Sequence, residues 1–157
     1  MADKAHRRAL TQGERRLAAS VFGEAIDYDP VRIVDGKWIF FQPAGTTMAP
    51  MGHIHFNPKG GLFRDDFSTA PLHLQGLFIH EMTHVWQAQK RGRWWLPLMR
   101  HPFCRYDYAL KPGWPLERYG IEQQATIVQH AFLQERGARP AGAPEPGLLR
   151  ALLRFGC

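Results

Sequence analysis

Leu74, Leu77, Phe78, Val85 and Ala88 fall on one stripe at helical spacing, which predicts an α-helix from Pro71 to about Arg91. Pro71 suits its first turn, with Ser68 or Thr69 near the cap. Lys90-Arg91-Gly92 suits its end, placing cations beside the terminal carbonyls and then a residue free to turn away. Ile121, Ala125, Val128 and Phe132 make a second stripe and predict a helix from about Leu116 to Arg136, stopped by Gly137. A shorter helix follows the capping-box pattern Thr11-Gln12-Gly13-Glu14; it carries Leu17, Val21 and Phe22 on one side and ends near Gly23.

Elsewhere the period is two. Tyr28 to Val34 alternates and is rich in β-branched residues, Asp35-Gly36 signals a turn, and Lys37 to Phe41 reads as the returning strand. His53-Ile54-His55-Phe56-Asn57 reads as a further short strand, with Ile54 and Phe56 inward and His53 and His55 outward. The stretches 42–51 and 111–115 are Pro- and Gly-broken loops, and 62–69 is an acidic-aromatic connector. The basic, aromatic, Pro-broken stretch 92–103 leaves three roles open, to line a substrate pocket, to touch an anionic partner or to pack over the long helix, and 106–110 takes no clear period. These elements predict an α+β domain over residues 10–136, with a small twisted sheet and helices packed on it. A basic arm precedes it at 1–9, and a Pro/Gly-rich linker with a short amphipathic helix follows at 137–157.

Composition narrows the class only modestly. With 157 residues, 45% hydrophobic content and a mean hydropathy of −0.35, a single globular domain with a real core is expected. No apolar run reaches membrane-spanning length, and Met1 to Arg8 lacks the apolar segment of a signal peptide, so a cytoplasmic location is expected, with non-classical secretion left open. Cys104 and Cys157 make no disulfide framework, which fits a reducing compartment. The net charge of +6 favours anionic partners, yet no base-reading helix or stacking sheet is legible, so nucleic acid is not an expected partner.

The chemistry lies inside the first long helix, in His80-Glu81-Met82-Thr83-His84. Residues four apart share a helix face, about 6 Å from one another, so two imidazoles can converge on one Zn²⁺. Glu81 points to the flank of that face, where it can hold a water and take its proton during attack on a carbonyl. Glu81 also falls within the apolar stripe, where an unpaired carboxylate is costly.

A catalytic zinc site needs a third protein ligand and a water. The pattern with a third His six residues beyond the motif fails, because Lys90 stands there. The alternative takes a Glu from a downstream helix, and Glu122 suits it, beside the small Ala125 that would let two helices approach. Glu117, Asp107 and His101 are the other candidates. Tyr106, Tyr108, Tyr119 and His130 are candidates for oxyanion stabilisation or ligand support, and Asp107 for orienting a ligand His. His53, Ile54 and His55 are candidates for an edge strand that binds extended substrate.

Residues 80–84 with Glu122 resemble the gluzincin branch of zinc metallopeptidases in a very short form. Over about residues 10–135 the chain resembles a family of small bacterial proteins known as vgr-related. Matching stretches include Met51-Gly52-His53-Ile54-His55-Phe56, Leu77 to Gln87, His101 to Tyr108, and Tyr119-Gly120-Ile121-Glu122-Gln123-Gln124-Ala125. That resemblance implies a link to type VI secretion or Rhs elements, and hence a secretion-system partner. The Glu-Gln-Gln-Ala helix is also similar to the third-ligand helix of short peptidases that cleave repressors. The motif is similar to that of SprT-type DNA-associated proteases, which use a third His where Glu122 is expected here. The expected function is therefore zinc-dependent hydrolysis of a peptide or amide bond in a zincin-like fold. His80, His84 and Glu122 bind the metal, Glu81 is the general base, and a peptide or protein is the substrate. A non-catalytic zinc-binding accessory protein of a secretion system is the alternative, with a DNA-associated protease below it.

Overall fold

The computed structural model describes residues 6–36, 47–48, 52–92, 95 and 104–155. Four short strands make one sheet: β1 (His6–Ala9), β2 (Arg32–Asp35), β3 (Thr47–Met48) and β4 (Ile54–Phe56), in the order β1-β2-β4-β3. β1 runs antiparallel to β2, β2 parallel to β4, and β4 antiparallel to β3. Accompanying the sheet, among the described residues, are the α-helices α1 (Gln12–Phe22), α2 (Leu72–Arg91) and α3 (Ile121–Glu135). The α+β class is as expected, and no helix among the described residues is long and apolar enough to cross a membrane.

α2 is the centre of the molecule. All of Phe78 to Ala88 is buried, motif included, so this helix is covered on every side rather than along one stripe. On one flank three phenylalanines stack in a row from sheet to helix: Phe56 on Phe67 with centroids 5.2 Å apart, and Phe67 on Phe78 at 5.7 Å. On the other flank lies α3, antiparallel to α2, with Gly76 against Leu133, His80 against Gln129 and Gln87 against Gln124. Gly76 sets the approach, because a Cβ there would sit 3.0 Å from Leu133 Cδ2.

Glu14 ties the N-terminal part together. Thr11 and Glu14 form the expected capping box, the Glu14 amide donating to Thr11 Oγ1 at 3.0 Å and the Thr11 amide to Glu14 Oε2 at 2.9 Å. The same carboxylate, fully buried, also accepts both Arg8 terminal nitrogens at 2.8 Å and the Phe67 amide at 2.9 Å. One side chain thus joins β1, α1 and the turn leading into α2. Glu14→Ala would leave the Arg8 guanidinium largely buried without its partner, a loss of about 3–5 kcal/mol. The expected result is a much lower urea midpoint with an unchanged m-value; a loss under about 1 kcal/mol would contradict this account.

Several boundaries differ from the sequence expectation. Residues 6–9, read as part of a basic arm, form a strand whose pairing with β2 is secured by Arg8 on Glu14. The strand expected from Tyr28 starts at Arg32, because Asp29-Pro30 lies in a turn and proline offers no ladder donor. Its expected partner, Lys37 to Phe41, lies outside the described residues. Ser68 and Thr69 do not cap α2; they form a separate 3₁₀ turn, Phe67–Thr69, capped by Asp66, and Pro71 takes the cap position. The helix expected from Leu116 is split into a 3₁₀ turn, Leu116–Arg118, and α3, with Gly120 between them at the cap. The short C-terminal helix is a 3₁₀ turn, Arg150–Leu152. The segment around it is docked: Leu149 is fully buried, and Phe155 meets Phe22 at 4.8 Å and Trp86 at 5.0 Å.

His55 on β4 carries a pH signature. Burial first, then the charges of His53 and Arg7, push its pKa down from 6.5 to about 4. Between pH 6.5 and about 4 the unfolded chain binds this proton and the folded chain does not. Stability is therefore intact above 6.5 and falls as pH drops through that window. After screening of a partly exposed ring, the loss is about 1–2 kcal/mol. Urea midpoints measured at pH 7 and pH 4.5 should converge in His55→Gln relative to wild type; an unchanged pH slope would discount His55.

Candidate metal centre

The antiparallel packing of α2 on α3 brings together His80, His84 and Glu122, residues 42 and 38 positions apart in the chain. Glu122 Oε2 lies 3.2 Å from His80 Nε2 and 3.1 Å from His84 Nε2, and one ligand atom from each residue falls within 4.8 Å of the others. All three side chains are buried, so the cluster is built into the helix interface. Glu81 is 4% exposed beside it, and its Oε2 meets no hydrogen-bond donor among the described residues. A buried carboxylate oxygen held this way is costly without a bound cation or water to answer it.

The outer nitrogens of both imidazoles are held by glutamines. His80 Nδ1 is 2.9 Å from Gln129 Oε1, and His84 Nδ1 is 2.8 Å from Gln87 Oε1. An amide oxygen accepts, so each Nδ1 carries a hydrogen and each Nε2, the nitrogen left for a metal, faces Glu122. Sequence reading expected Asp107 for such a role. Instead Asp107 is exposed, with its carboxylate 3.6 Å from Arg105 Nε and its carbonyl accepting from Gln123. The only trace of these glutamines in sequence is spacing: Gln87 lies three residues beyond His84, and Gln129 seven beyond Glu122.

The electrostatics agree with the geometry. Burial raises the Glu122 pKa, but hydrogen bonds and charge from His80 and His84 overcome it and hold the carboxyl far below its ordinary range. Burial lowers the His84 pKa, and hydrogen bonding and charge from Glu122, with Glu81 and Gln87, overcome it and raise it. Glu122 is therefore anionic at neutral pH. Beside it a cavity of about 440 Å³ is lined by Gln87, Glu122, two indoles (Trp86 and Trp95) and the cations Lys90, Arg91 and Arg105.

No protein-family model matches the chain. The type VI secretion system spike protein VgrG2b of Pseudomonas aeruginosa is 42% identical over an alignment of 153 residues that covers 91% of this chain. A solved structure, the effector domain of Pseudomonas aeruginosa VgrG2b, superposes with a TM-score of 0.71 at 41% identity, over 82% of this chain and 75% of that one. The chain belongs to the VgrG2b effector-domain family. It spans 15% of the length of the whole spike protein.

In this member of the VgrG2b effector-domain family the remaining candidates separate clearly. Glu117 is half-exposed and paired with Lys90 at 3.3 Å, away from the cluster. His101 lies outside the described residues, as does most of the stretch 92–103; of it Gly92 and Trp95 are described, Trp95 under the Arg91 guanidinium at 5.6 Å. Tyr119 accepts the Lys111 amide at 2.9 Å and serves the turn before α3. Tyr108 bonds His130 Nδ1 at 2.8 Å, and burial pushes its pKa up to about 12. Tyr106 is 51% exposed with its ring near-parallel to that of His80 at 6.3 Å. His53, Ile54 and His55 do not form an edge: β4 has β2 on one side and β3 on the other, with Ile54 fully buried. The two-residue β3 takes the outer position, because Met48 and Thr47 pair with His55 and Phe56.

Proposed function

We propose that the chain is a zinc-dependent metallopeptidase of zincin-like fold, hydrolysing a peptide or amide bond. The observation that carries this reading is the cluster itself: two buried imidazoles and a carboxylate on one point, with an unanswered Glu81 oxygen beside them. The donor set suits zinc, and bonds of about 2.0–2.1 Å in a tetrahedron imply ligand-to-ligand edges of about 3.3–3.4 Å. The separations of 3.1 and 3.2 Å from Glu122 lie close to that edge and the third lies within 4.8 Å, which supports His80, His84 and Glu122 as the residues that would hold the ion.

When bound there, zinc would supply Lewis acidity and lower the pKa of a bound water to about 7. Glu81 accepts the proton of the attacking water at its free oxygen and passes it to the departing nitrogen. Gln87 and Gln129 keep the imidazoles from rotating. Tyr106, its ring near-parallel to His80 and open to solvent, is our candidate to donate to the substrate carbonyl oxygen as charge develops there, supported by that proximity. The adjoining cavity has room for substrate side chains.

Mass-spectrometric metal analysis of protein purified without added metal, paired with cleavage of an unfolded protein substrate, tests the reading. About one zinc per chain and cleavage abolished by a chelator and restored by zinc are expected. A metal-free protein with no zinc uptake on titration would overturn it.

The family relationship supports a second reading, a zinc-binding accessory or interaction module tied to type VI secretion without catalysis. Retained binding of a secretion-system partner by Glu81→Gln, with no cleavage by either protein, would favour it.

A further inference from the structure

The His84 side chain stands at the end of a chain of amides. Its Nδ1 faces Gln87 Oε1 at 2.8 Å. Gln87 Nε2 donates at 3.0 Å both to the Ile121 carbonyl and to Gln124 Oε1. Gln124 Nε2 donates to the Tyr119 carbonyl at 2.7 Å. Gln87 and Gln124 are 2% and 6% exposed, so a lost bond would leave a buried polar group short of a partner.

Only one orientation of this chain satisfies every member. A backbone carbonyl accepts and never donates, so the Gln124 NH₂ must face Tyr119. That turns Gln124 Oε1 toward Gln87 and draws the Gln87 NH₂ between two acceptors. The Gln87 oxygen is then left facing His84, and Nδ1 must carry the hydrogen. Flipping either amide would set NH₂ against NH₂ or oxygen against oxygen in a buried space. His80 has no such lock: the side chain of its partner Gln129 makes no other hydrogen bond among the described residues.

We propose that Gln124, acting through Gln87, is a positioning residue that fixes His84 with its hydrogen on Nδ1 and its Nε2 lone pair on the metal side. The inference rests on the metal-site reading above. It makes the turn before α3, through the Tyr119 carbonyl, a determinant of metal affinity, although neither Tyr119 nor Gln124 reaches the metal cluster.

The test is a double-mutant cycle on zinc affinity, measured by chelator competition in the full chain. Gln124→Met and Gln87→Leu should each weaken zinc about 10- to 100-fold. Gln124→Met made in the Gln87→Leu background should add less than about twofold, because its only route to His84 is already cut. An unchanged affinity in Gln124→Met, or an equal penalty in both backgrounds, would overturn the relay. Should a variant fail to fold, the zinc-loaded wild type still decides: long-range ¹⁵N spectra should show His84 protonated at Nδ1 and slow to exchange. A hydrogen on Nε2 there would refute the proposal. A wild type that takes up no zinc is a different failure, because it removes the metal site and the relay's role with it.

Discussion

Glu81→Gln is expected to lower peptide hydrolysis about a thousandfold while zinc content stays at one per chain. A positioned general base contributes about 10²–10⁴-fold, and the amide that replaces it cannot take a proton near neutral pH. The substitution is nearly isosteric, so packing on the central helix should hold. Glu81 is buried beside the cluster and is not one of its three grouped residues, so loss of proton transfer can be told apart from loss of metal. The measurement is turnover and metal content on the same sample. Full turnover in Glu81→Gln would remove Glu81 from the chemistry, and loss of zinc along with turnover would make it a ligand instead.

Glu122→Ala is expected to cut zinc affinity at least a thousandfold and to leave the purified protein almost metal-free. The carboxylate supplies the only negative charge among the three grouped side chains and meets both imidazoles within 3.2 Å. Without it two neutral imidazoles remain, and metal binding must compete with protons for both. The metal-free variant also loses the attraction that raises the His84 pKa, so His84 should titrate lower than in wild type. Zinc titration by calorimetry gives the first quantity and NMR of the imidazole carbons gives the second. Wild-type zinc affinity in Glu122→Ala would assign the third ligand elsewhere. Wild-type affinity in both this variant and Gln124→Met would separate affinity from the whole α3 side of the site.

The motif was legible because its geometry is local. His80 and His84 are one helical turn apart, and nothing outside α2 is needed to place them on one face. Glu122 was legible more weakly, through the neighbouring Gln-Gln-Ala and the need for a third ligand. Asp107 reads only as a candidate orienting group, because its reach depends on where the 104–110 segment runs, and there its carboxylate faces Arg105. Gln87 and Gln129 were passed over because glutamine carries no charge or motif. Their value arises only when an imidazole nitrogen is set opposite. β1 was missed for a similar reason: His6-Arg7-Arg8-Ala9 has no alternation, and three of its four residues are polar. Its strand form follows from β2 beside it and from the buried Glu14 that receives Arg8.

By itself the sequence determined the α+β class, the long helix with its two histidines, the Thr11–Glu14 capping box and the downstream helix bearing Glu122. All of these are written in spacings of a few residues, where covalent geometry and helical period leave little freedom. Tertiary structure alone decided which glutamine meets which histidine, that β4 lies inside the sheet, and that the C-terminal segment packs its Phe155 on Trp86. Those outcomes depend on the register of α3 against α2 and on closing long loops, and no local pattern encodes either.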